Sequence, residues 1–143
     1  MEKYDCLKLE NQLCFPLYVA SKEVVRRYKP FLDKVGLTYT QYIAMMVMWN
    51  KKKVKVTELC HDLYLDTGTV SPLVRKLKEK GYITLNRDQE DERIQVVEIT
   101  PQGEKLKEQA VCIPQGMVKN KCVDLSEEEA FTLRKLLDKI IGR

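Results

Sequence analysis

Residues 66–100, DTGTVSPLVRKLKEKGYITLNRDQEDERIQVVEIT, change their hydrophobic period partway along, and this change decides the fold. The first part has apolar residues at the spacing of one helix face: Val70, Leu73, Val74 and Leu77. It predicts a helix over residues 66–81. Asp66 and Thr69 are alternative N-caps for this helix, and Pro72 falls in its first turn only if Thr69 is the cap.

The second part follows the two-residue period of a strand. Its apolar residues recur at every second position in two runs, Ile83 and Leu85, then Ile94 and Val96. The polar stretch DQEDE (residues 88–92) separates the runs. Two alternating runs with a short polar connection predict a β-hairpin.

Two helices are predicted upstream of this stretch. TYTQ is a capping box in which Thr38 caps and Gln41 reaches back, so that a helix runs to about Asn50. TELCHDL, from Thr57, predicts a shorter helix. Helix, short helix, turn, helix and hairpin is the order of a winged helix-turn-helix. In that motif the second helix enters the major groove and the hairpin approaches the DNA backbone or minor groove.

A long helical pattern precedes the motif, over residues 9–35, and Gly36 ends it. Pro16 within it allows two interpretations. It lies in the first turn of the main helix, with Cys14 just ahead of the N-terminus, or it kinks a longer helix.

Two further helices are predicted after the hairpin. Thr100 and Pro101 open the first, which Pro114 and Gly116 interrupt. SEEE, from Ser126, is a second capping box before an amphipathic final helix. The predicted fold class is therefore mainly α with a small β-hairpin (α+β).

The composition fits one cytoplasmic globular domain. The chain has 143 residues, 44% of them hydrophobic, with no run long enough to span a membrane and no signal-peptide pattern at its start. Its five cysteines form no CxxC, so that neither a disulfide framework nor a thioredoxin motif is expected. His61 is the only histidine. We expect no metal site and no cofactor.

The helix over residues 66–81 is the candidate DNA-reading element. The net charge of +4 is compatible with a nucleic-acid partner. Short hydroxyl side chains at the start of the helix precede cations, and the residues expected to contact DNA are Thr67, Thr69, Ser71, Arg75 and Lys76. A basic surface helix with no DNA role is the alternative. Residues 51–55, KKKVK, contact phosphate or form a solvated loop.

The stretch RDQEDERIQVVEITPQGEKL (residues 87–106) resembles the multiple-antibiotic-resistance-regulator (MarR) family of dimeric, winged-helix transcription factors. The resemblance implies that Arg93 enters the minor groove and that Asp91 orients it. It also implies dimerisation helices in residues 1–36 and 101–143 around a DNA-binding region, residues 37–100, and double-stranded DNA with an inverted-repeat operator as the partner.

KLENQLCFPLYVASKEVVRRYKPFLDKVGLTYTQY (residues 8–42) is similar to the organic-hydroperoxide-responsive repressors of that family. The similarity implies that Cys14 is the redox-sensing thiol and that three tyrosines support it: Tyr18, Tyr28 and Tyr39. Oxidation of Cys14 by an organic hydroperoxide would then release the operator. Pro16 departs from the expected pattern. A buried thiol that packs beside Tyr18, four positions later, is the alternative.

The sequence also suggests which residues surround Cys14 and which second cysteine could react with it. The apolar surroundings that would favour organic peroxides are Leu13, Phe15, Leu17 and either Met45 or Met46. In some relatives a partner's thiol resolves the oxidised cysteine as an intersubunit disulfide. Cys122 is the candidate here, with Cys112 second, and simple packing is the alternative for Cys122.

Two other functions compete with this interpretation. A MarR-type protein released by a phenolic or other small ligand would use a pocket, with candidate lining residues Tyr28, Tyr39, Met45 and Trp49. A thiol peroxidase would use Cys14 catalytically. The sequence lacks a redoxin-like βαβ pattern and concentrates its cations in a helix-turn-helix, so we expect no enzyme.

Overall fold

Seven helices and a small sheet make up the computed structural model, which describes residues 2–143. The helices are α1 (Cys14–Val35), α2 (Tyr39–Lys51), α3 (Val56–Leu63), α4 (Thr67–Glu79), α5 (Pro101–Ala110), α6 (Cys112–Lys119) and α7 (Glu127–Ile141). The strands are β1 (Lys53–Lys55), β2 (Ile83–Arg87) and β3 (Gln95–Ile99). Two 3-10 turns, Asp5–Leu7 and Leu9–Asn11, precede α1. The predicted class, mainly α with a winged helix-turn-helix, is confirmed.

The sheet has three antiparallel strands in the order β1-β3-β2. The predicted hairpin is β2 and β3, and we call it, with its connecting loop, the wing. β1 corrects the interpretation of residues 51–55 as a loop. Its central residue, Val54, is 3% exposed and lies opposite Val97 of β3, so that the strand is held by a pairing with a distant segment.

Asp66 is the N-cap of α4, which settles the choice between Asp66 and Thr69. Its Oδ1 accepts a hydrogen bond of 2.9 Å from the backbone N–H of Thr69. Pro72 is then the sixth residue of α4 rather than a first-turn proline, and the helix continues through it to Glu79. The two predicted capping boxes, at Thr38 and Ser126, are both present.

Helix α1 begins at Cys14, five residues later than the predicted pattern. The side-chain amide of Gln12 donates to the backbone carbonyls of Cys6 and Lys8 and stabilises the preceding turns in place of a helix. Pro16 is therefore the third helical residue, as in the first of the two interpretations. The helix also contains Pro30, which the pattern did not reveal as an interior proline, and it continues to Val35.

The predicted interruption by Pro114 and Gly116 is wrong. The break between α5 and α6 falls at Val111, and both residues lie inside α6. Pro114 is in the first turn of α6, where its missing N–H costs no helical hydrogen bond. Gly116 faces Phe31 of α1, and a Cβ there would lie 2.4 Å from a carbon of the Phe31 ring.

One core joins the helices to the sheet, and it includes the fully buried Met45, Met48 and Val97. Helix α7 is different, because none of its residues is buried although its pattern is amphipathic. Most of its apolar side chains are exposed, with Leu136 at 51% and Ile140 at 59%. Within residues 2–143, no helix is both long and apolar enough to cross a membrane.

Candidate DNA interface and thiol site

The expected DNA-contacting residues of α4 lie on its outer face. Thr67, Thr69, Arg75 and Lys76 are exposed, and Ser71 is half-buried. Ser71 and Arg75 line a groove of about 240 Å³ with Gln95 of the wing. The opposite face packs into the core through the four predicted residues Val70, Leu73, Val74 and Leu77. The structure therefore brings the helix face and the wing together at one surface.

Arg93 projects from the wing loop and is held by Asp91. Its Nε donates to Asp91 Oδ1 and its Nη2 to Oδ2, both at 3.0 Å, and its backbone N–H donates to Oδ1 at 3.1 Å. These hydrogen bonds lower the pKa of the Asp91 carboxyl from its usual 3.8. The Arg93 side chain is 90% exposed. The pair therefore presents a guanidinium of fixed direction to solvent.

Three lysines near this surface form ion pairs or hydrogen bonds with other parts of the chain. Lys51 pairs with Asp62 at 2.7 Å, and Lys52 pairs with Glu104. Lys80, the residue that follows α4, donates to the carbonyl of Gly36 and to the side chain of Gln41. Lys80 is thus part of the internal hydrogen-bond network, a role that sequence spacing does not reveal.

Cys14 is the first residue of α1 and is exposed, with the free backbone N–H groups of a helix N-terminus around it. Its neighbours Leu13 and Phe15 are 72% and 41% exposed. Tyr18, one turn further along α1, is 61% exposed. Of the two methionines proposed nearby, Met46 is at the surface and Met45 is fully buried. Within a single chain, Cys14 is therefore not buried.

Tyr28 and Tyr39 form a tyrosine cluster with Tyr42, a residue that sequence reasoning missed. Their ring centroids are 5.2 Å apart for Tyr28 and Tyr39 and 6.0 Å for Tyr28 and Tyr42. Burial, and secondarily Tyr39, raises the pKa of the Tyr28 phenol. Tyr28 lies fourteen residues beyond Cys14 on α1, about 21 Å along the helix axis. The cluster therefore lies far from the thiol of its own chain.

Three of the other cysteines are half-buried. Cys112 and Cys60 pack against the core as half-buried residues. Cys122 follows α6, and its carbonyl accepts a hydrogen bond of 2.8 Å from Arg27 of α1. In residues 2–143, no three His, Cys, Asp or Glu side chains cluster as metal ligands.

Two of the four residues proposed to line a small-ligand pocket have other contacts. Met45 is fully buried, and the indole N–H of Trp49 donates to the Gly103 carbonyl at 2.9 Å, so that Trp49 anchors α5. A groove of about 280 Å³ does lie between α1 and α2. Its lining residues include Leu32, Leu37 and Tyr39.

The exposed hydroxyl-and-cation face of α4, with an arginine-tipped wing beside it, defines a winged helix-turn-helix DNA-binding protein.

Comparison with known proteins gives the family. Residues 26–110 match the family described as transcriptional regulator SarA/Rot. The organic hydroperoxide resistance transcriptional regulator of Bacillus subtilis (strain 168) is 43% identical over 134 residues, which cover 94% of this chain and 88% of that protein. The HTH-type transcriptional regulator SarZ of Staphylococcus haemolyticus is 38% identical, covering 94% and 90%.

Solved structures agree on the fold. Overoxidized AbfR bound to DNA has a TM-score of 0.80 at 23% identity, covering 99% of this chain and 98% of that one. A MarR mutant from E. coli in complex with operator DNA has a TM-score of 0.83 at 19% identity, covering 98% and 99%. The chain belongs to the MarR-type family of winged-helix transcriptional regulators, and its relatives are regulators rather than enzymes.

Proposed function

We propose that this regulator binds an inverted-repeat operator as a homodimer and releases it when an organic hydroperoxide oxidises Cys14. The observation that carries the proposal is the position of Cys14, which is an exposed thiol at the first residue of α1 among exposed apolar side chains. The thiolate is the reactive form of cysteine, and a thiol at the surface is accessible to a hydroperoxide. The 43% identity to an organic hydroperoxide regulator supports the same trigger.

The unburied apolar surface supports the homodimer. Leu7, Leu9 and Leu13 are 77%, 58% and 72% exposed in the segment that leads into α1, and α7 exposes a further apolar stripe. Contiguous exposed apolar surface is typical of an interaction site. Residues 1–36 and 101–143 would form the dimer interface, with residues 37–100 as the DNA-binding region.

In this dimer the tyrosines reach the thiol from the partner. Tyr28 and Tyr39 lie too far along the fold to contact Cys14 of their own chain, whereas Tyr18 is one turn from it. The Tyr28 phenol is protonated at neutral pH, as an ordinary tyrosine is, and burial raises its pKa further, so that it can donate a hydrogen bond to a thiolate. Hydrogen bonds to a charged acceptor contribute about 1.5–3 kcal/mol each.

The sensing step is a two-electron oxidation of sulfur. The Cys14 thiolate attacks one peroxide oxygen, the O–O bond breaks, and the alkoxide leaves and takes up a proton to become the alcohol. Cys14 is then a sulfenic acid. The neutral product weakens the tyrosine hydrogen bonds that had favoured the thiolate, and this change shifts the spacing of the two recognition helices.

DNA recognition follows the geometry of the winged helix. Each α4 lies in a major groove, with Arg93 in the adjacent minor groove. The face that meets the bases and phosphates comprises Thr67, Thr69, Ser71, Arg75 and Lys76. The two half-sites lie about 34–36 Å apart, one helical turn of DNA.

Cys122 would resolve the sulfenic acid by forming an intersubunit disulfide with release of water. The side chain of Arg27 on α1 donates a hydrogen bond to the Cys122 carbonyl, so that the backbone at residue 122 lies beside α1. Cys112, which packs against the core, is the second candidate.

A second candidate function is release by a small ligand in the groove between α1 and α2. The groove has room for a small aromatic molecule, and Tyr39 in its lining offers a hydroxyl. Its two cations, Arg26 and Lys29, already pair with Glu23 and Asp33. An anionic ligand would have to compete with those carboxylates.

The test is operator binding by wild type and Cys14→Ser, each with and without cumene hydroperoxide. We expect the peroxide to release only the wild type, and non-reducing gels to show a dimer band that Cys122→Ser abolishes. Release of the serine variant, or no release of the wild type, would overturn the proposal and leave the small-ligand function.

A further inference from the structure

We propose that Lys80 and Gln41 are positioning residues that transmit the sensor's change to the recognition helix. This inference rests on the proposed function, since it concerns how oxidation reaches α4. Neither residue is placed in contact with DNA or with the thiol. Both act through the turn between α1 and α2, residues 36–38, which we call the interhelix turn.

The contacts form a closed network around that turn. The ammonium group of Lys80 donates to Gln41 Oε1 at 3.1 Å and to the carbonyl of Gly36. The same Gln41 oxygen accepts from the backbone N–H of Thr38 at 3.1 Å. Gln41 is 3% exposed and is the one buried polar residue in residues 2–143. A buried amide of this kind stays in place only while its partners remain, because an unpaired buried polar group is costly.

One side of the network is the tyrosine cluster. Tyr28 belongs to α1 and Tyr39 is the first residue of α2, so that their paired rings span the two helices that the interhelix turn connects. Tyr39 directly follows Thr38, whose N–H is held by Gln41. Movement of the rings would change the angle between α1 and α2 at this turn.

The other side of the network is the end of α4. Lys80 is the C-cap of that helix. The following Gly81, in a left-handed conformation with φ +84°, accepts a hydrogen bond of 2.6 Å from the hydroxyl of Thr100, the N-cap of α5. The C-terminal end of the recognition helix is therefore bonded both to the interhelix turn and to a predicted dimerisation helix.

These bonds explain why a small change at the tyrosines can rotate α4. A cation at the C-terminus of a helix is also favoured by the helix dipole, which keeps the Lys80 side chain at this position. Without its ammonium group, α4 would remain packed through its apolar face but would lose its direct bond to the interhelix turn. Oxidation of Cys14 would then leave the helix in its DNA-binding position.

The experiment measures the operator dissociation constant of peroxide-treated and of reduced protein, for both wild type and Lys80→Met. The ratio of the peroxide-treated to the reduced value reports the coupling. Allosteric coupling typically changes affinity by about 5- to 150-fold, and we expect a wild-type ratio in that range. Lys80→Met should bring the ratio to within about twofold of one, which is no effective coupling. Met preserves much of the apolar stem, and the stem is exposed, so that the variant should fold.

Three controls make the result specific. Lys78→Met removes one charge from the same exposed part of α4 and should keep the wild-type ratio. Lys80→Arg and Gln41→Glu preserve a donor and an acceptor, respectively, and should retain release. Should Lys80→Met prove unstable by thermal unfolding, Gln41→Met, which removes the shared acceptor instead, is expected to lower the ratio in the same way.

The outcomes separate this inference from the proposed function. Trapping of the Cys14 sulfenic acid by dimedone, together with non-reducing gels that detect a disulfide at Cys14, shows whether the thiol was oxidised in each variant. A wild type that is neither oxidised nor released contradicts the proposed function. A wild type that is released, together with Lys80→Met that is oxidised and released equally, contradicts only the coupling role of Lys80.

Discussion

Asp91 holds the guanidinium of Arg93 through two parallel hydrogen bonds of 3.0 Å at the tip of the wing. Two effects of Asp91→Ala oppose each other. Loss of a negative charge near DNA should strengthen binding, whereas loss of the bonds frees the arginine. If orientation is the role of Asp91, operator affinity falls, but by less than in Arg93→Ala, which loses one typical contact of about 1–3 kcal/mol, or roughly 5- to 150-fold. Fluorescence anisotropy at fixed salt would measure both variants.

Glu90→Ala is the matched control for the wing carboxylate. It removes a nearby negative charge but no hydrogen bond to Arg93. Its operator affinity should stay equal to the wild type or rise. Tighter binding by Asp91→Ala, equal to that of Glu90→Ala, would show that Asp91 acts only as a charge.

The separation of about 21 Å between Cys14 and Tyr28 on one helix leads to a test of the partner's role. A mixed dimer of a Cys14→Ser chain and a Tyr28→Phe chain contains one complete site if the tyrosine acts across the interface. Co-expression with two affinity tags would isolate it. We expect peroxide to release it as readily as a dimer of Cys14→Ser with wild type, which also has one complete site.

The reciprocal dimer provides the control. A chain with both substitutions, paired with wild type, has no complete site if the tyrosine acts across the interface, and one complete site if it acts within a chain. Peroxide release of this dimer, without release of the first, would place the tyrosine and the thiol in the same subunit's site.

Sequence patterns predicted the elements whose signals are local. The Thr38 capping box depends on residues within one helical turn, and the alternation of β2 and β3 depends on neighbours in the chain. Strand β1 escaped prediction because three residues have no recognisable period and Val54 is held by Val97, far along the chain. The sequence also misplaced the break between α5 and α6, because Gly116 is predicted to interrupt the helix. Gly116 instead lies inside α6 and contacts Phe31, which is far away in the sequence.

The same distinction between local and long-range signals applies to the residues of the candidate site. Cys14, Arg93 and Asp91 lie in recognisable motifs, and their exposure and contacts follow from local structure. Tyr42 and the Lys80–Gln41 bond do not, because they depend on how α1, α2 and α4 pack against one another. The spacing of Cys14 and Tyr28 could have been read from helix geometry alone, since both lie in one predicted helix.

Stability should depend on pH through the cap of the recognition helix. Hydrogen bonds from Thr69 lower the pKa of the Asp66 carboxyl from its usual 3.8. The unfolded chain therefore takes up this proton at higher pH than the folded chain, so that the charged cap stabilises the fold above the ordinary pKa and stops doing so as pH falls through the lowered pKa. Asp66→Asn should melt below the wild type at pH 7, and the difference in Tm should vanish in acid.

Asp66→Ala separates the charge from the hydrogen bond. Asparagine also caps helices well, whereas alanine cannot accept the N–H of Thr69. The alanine variant should therefore melt below the asparagine variant at every pH. A difference between wild type and Asp66→Asn that persists unchanged to the most acidic pH at which the protein folds would contradict the role of the charge.

The contact between Gly116 and Phe31 sets how closely α6 approaches α1. An alanine Cβ at position 116 would lie 2.4 Å from a carbon of the Phe31 ring, which is well inside contact distance. Gly116→Ala should therefore lower the free energy of unfolding by about 1–3 kcal/mol, the usual cost of overpacking, although alanine is the better helix former. Urea denaturation would measure the loss.

A second glycine and a compensating substitution make this prediction specific. Gly68 also lies in a helix, but the nearest atom to a Cβ there is 3.9 Å away, so that Gly68→Ala should stabilise the fold by about 0.5–1 kcal/mol. Phe31→Leu removes the clashing edge of the ring, and the double variant Phe31→Leu with Gly116→Ala should lose less than the sum of the two single losses. Additive losses would mean that the close approach of Gly116 to Phe31 does not limit the packing of α6 on α1.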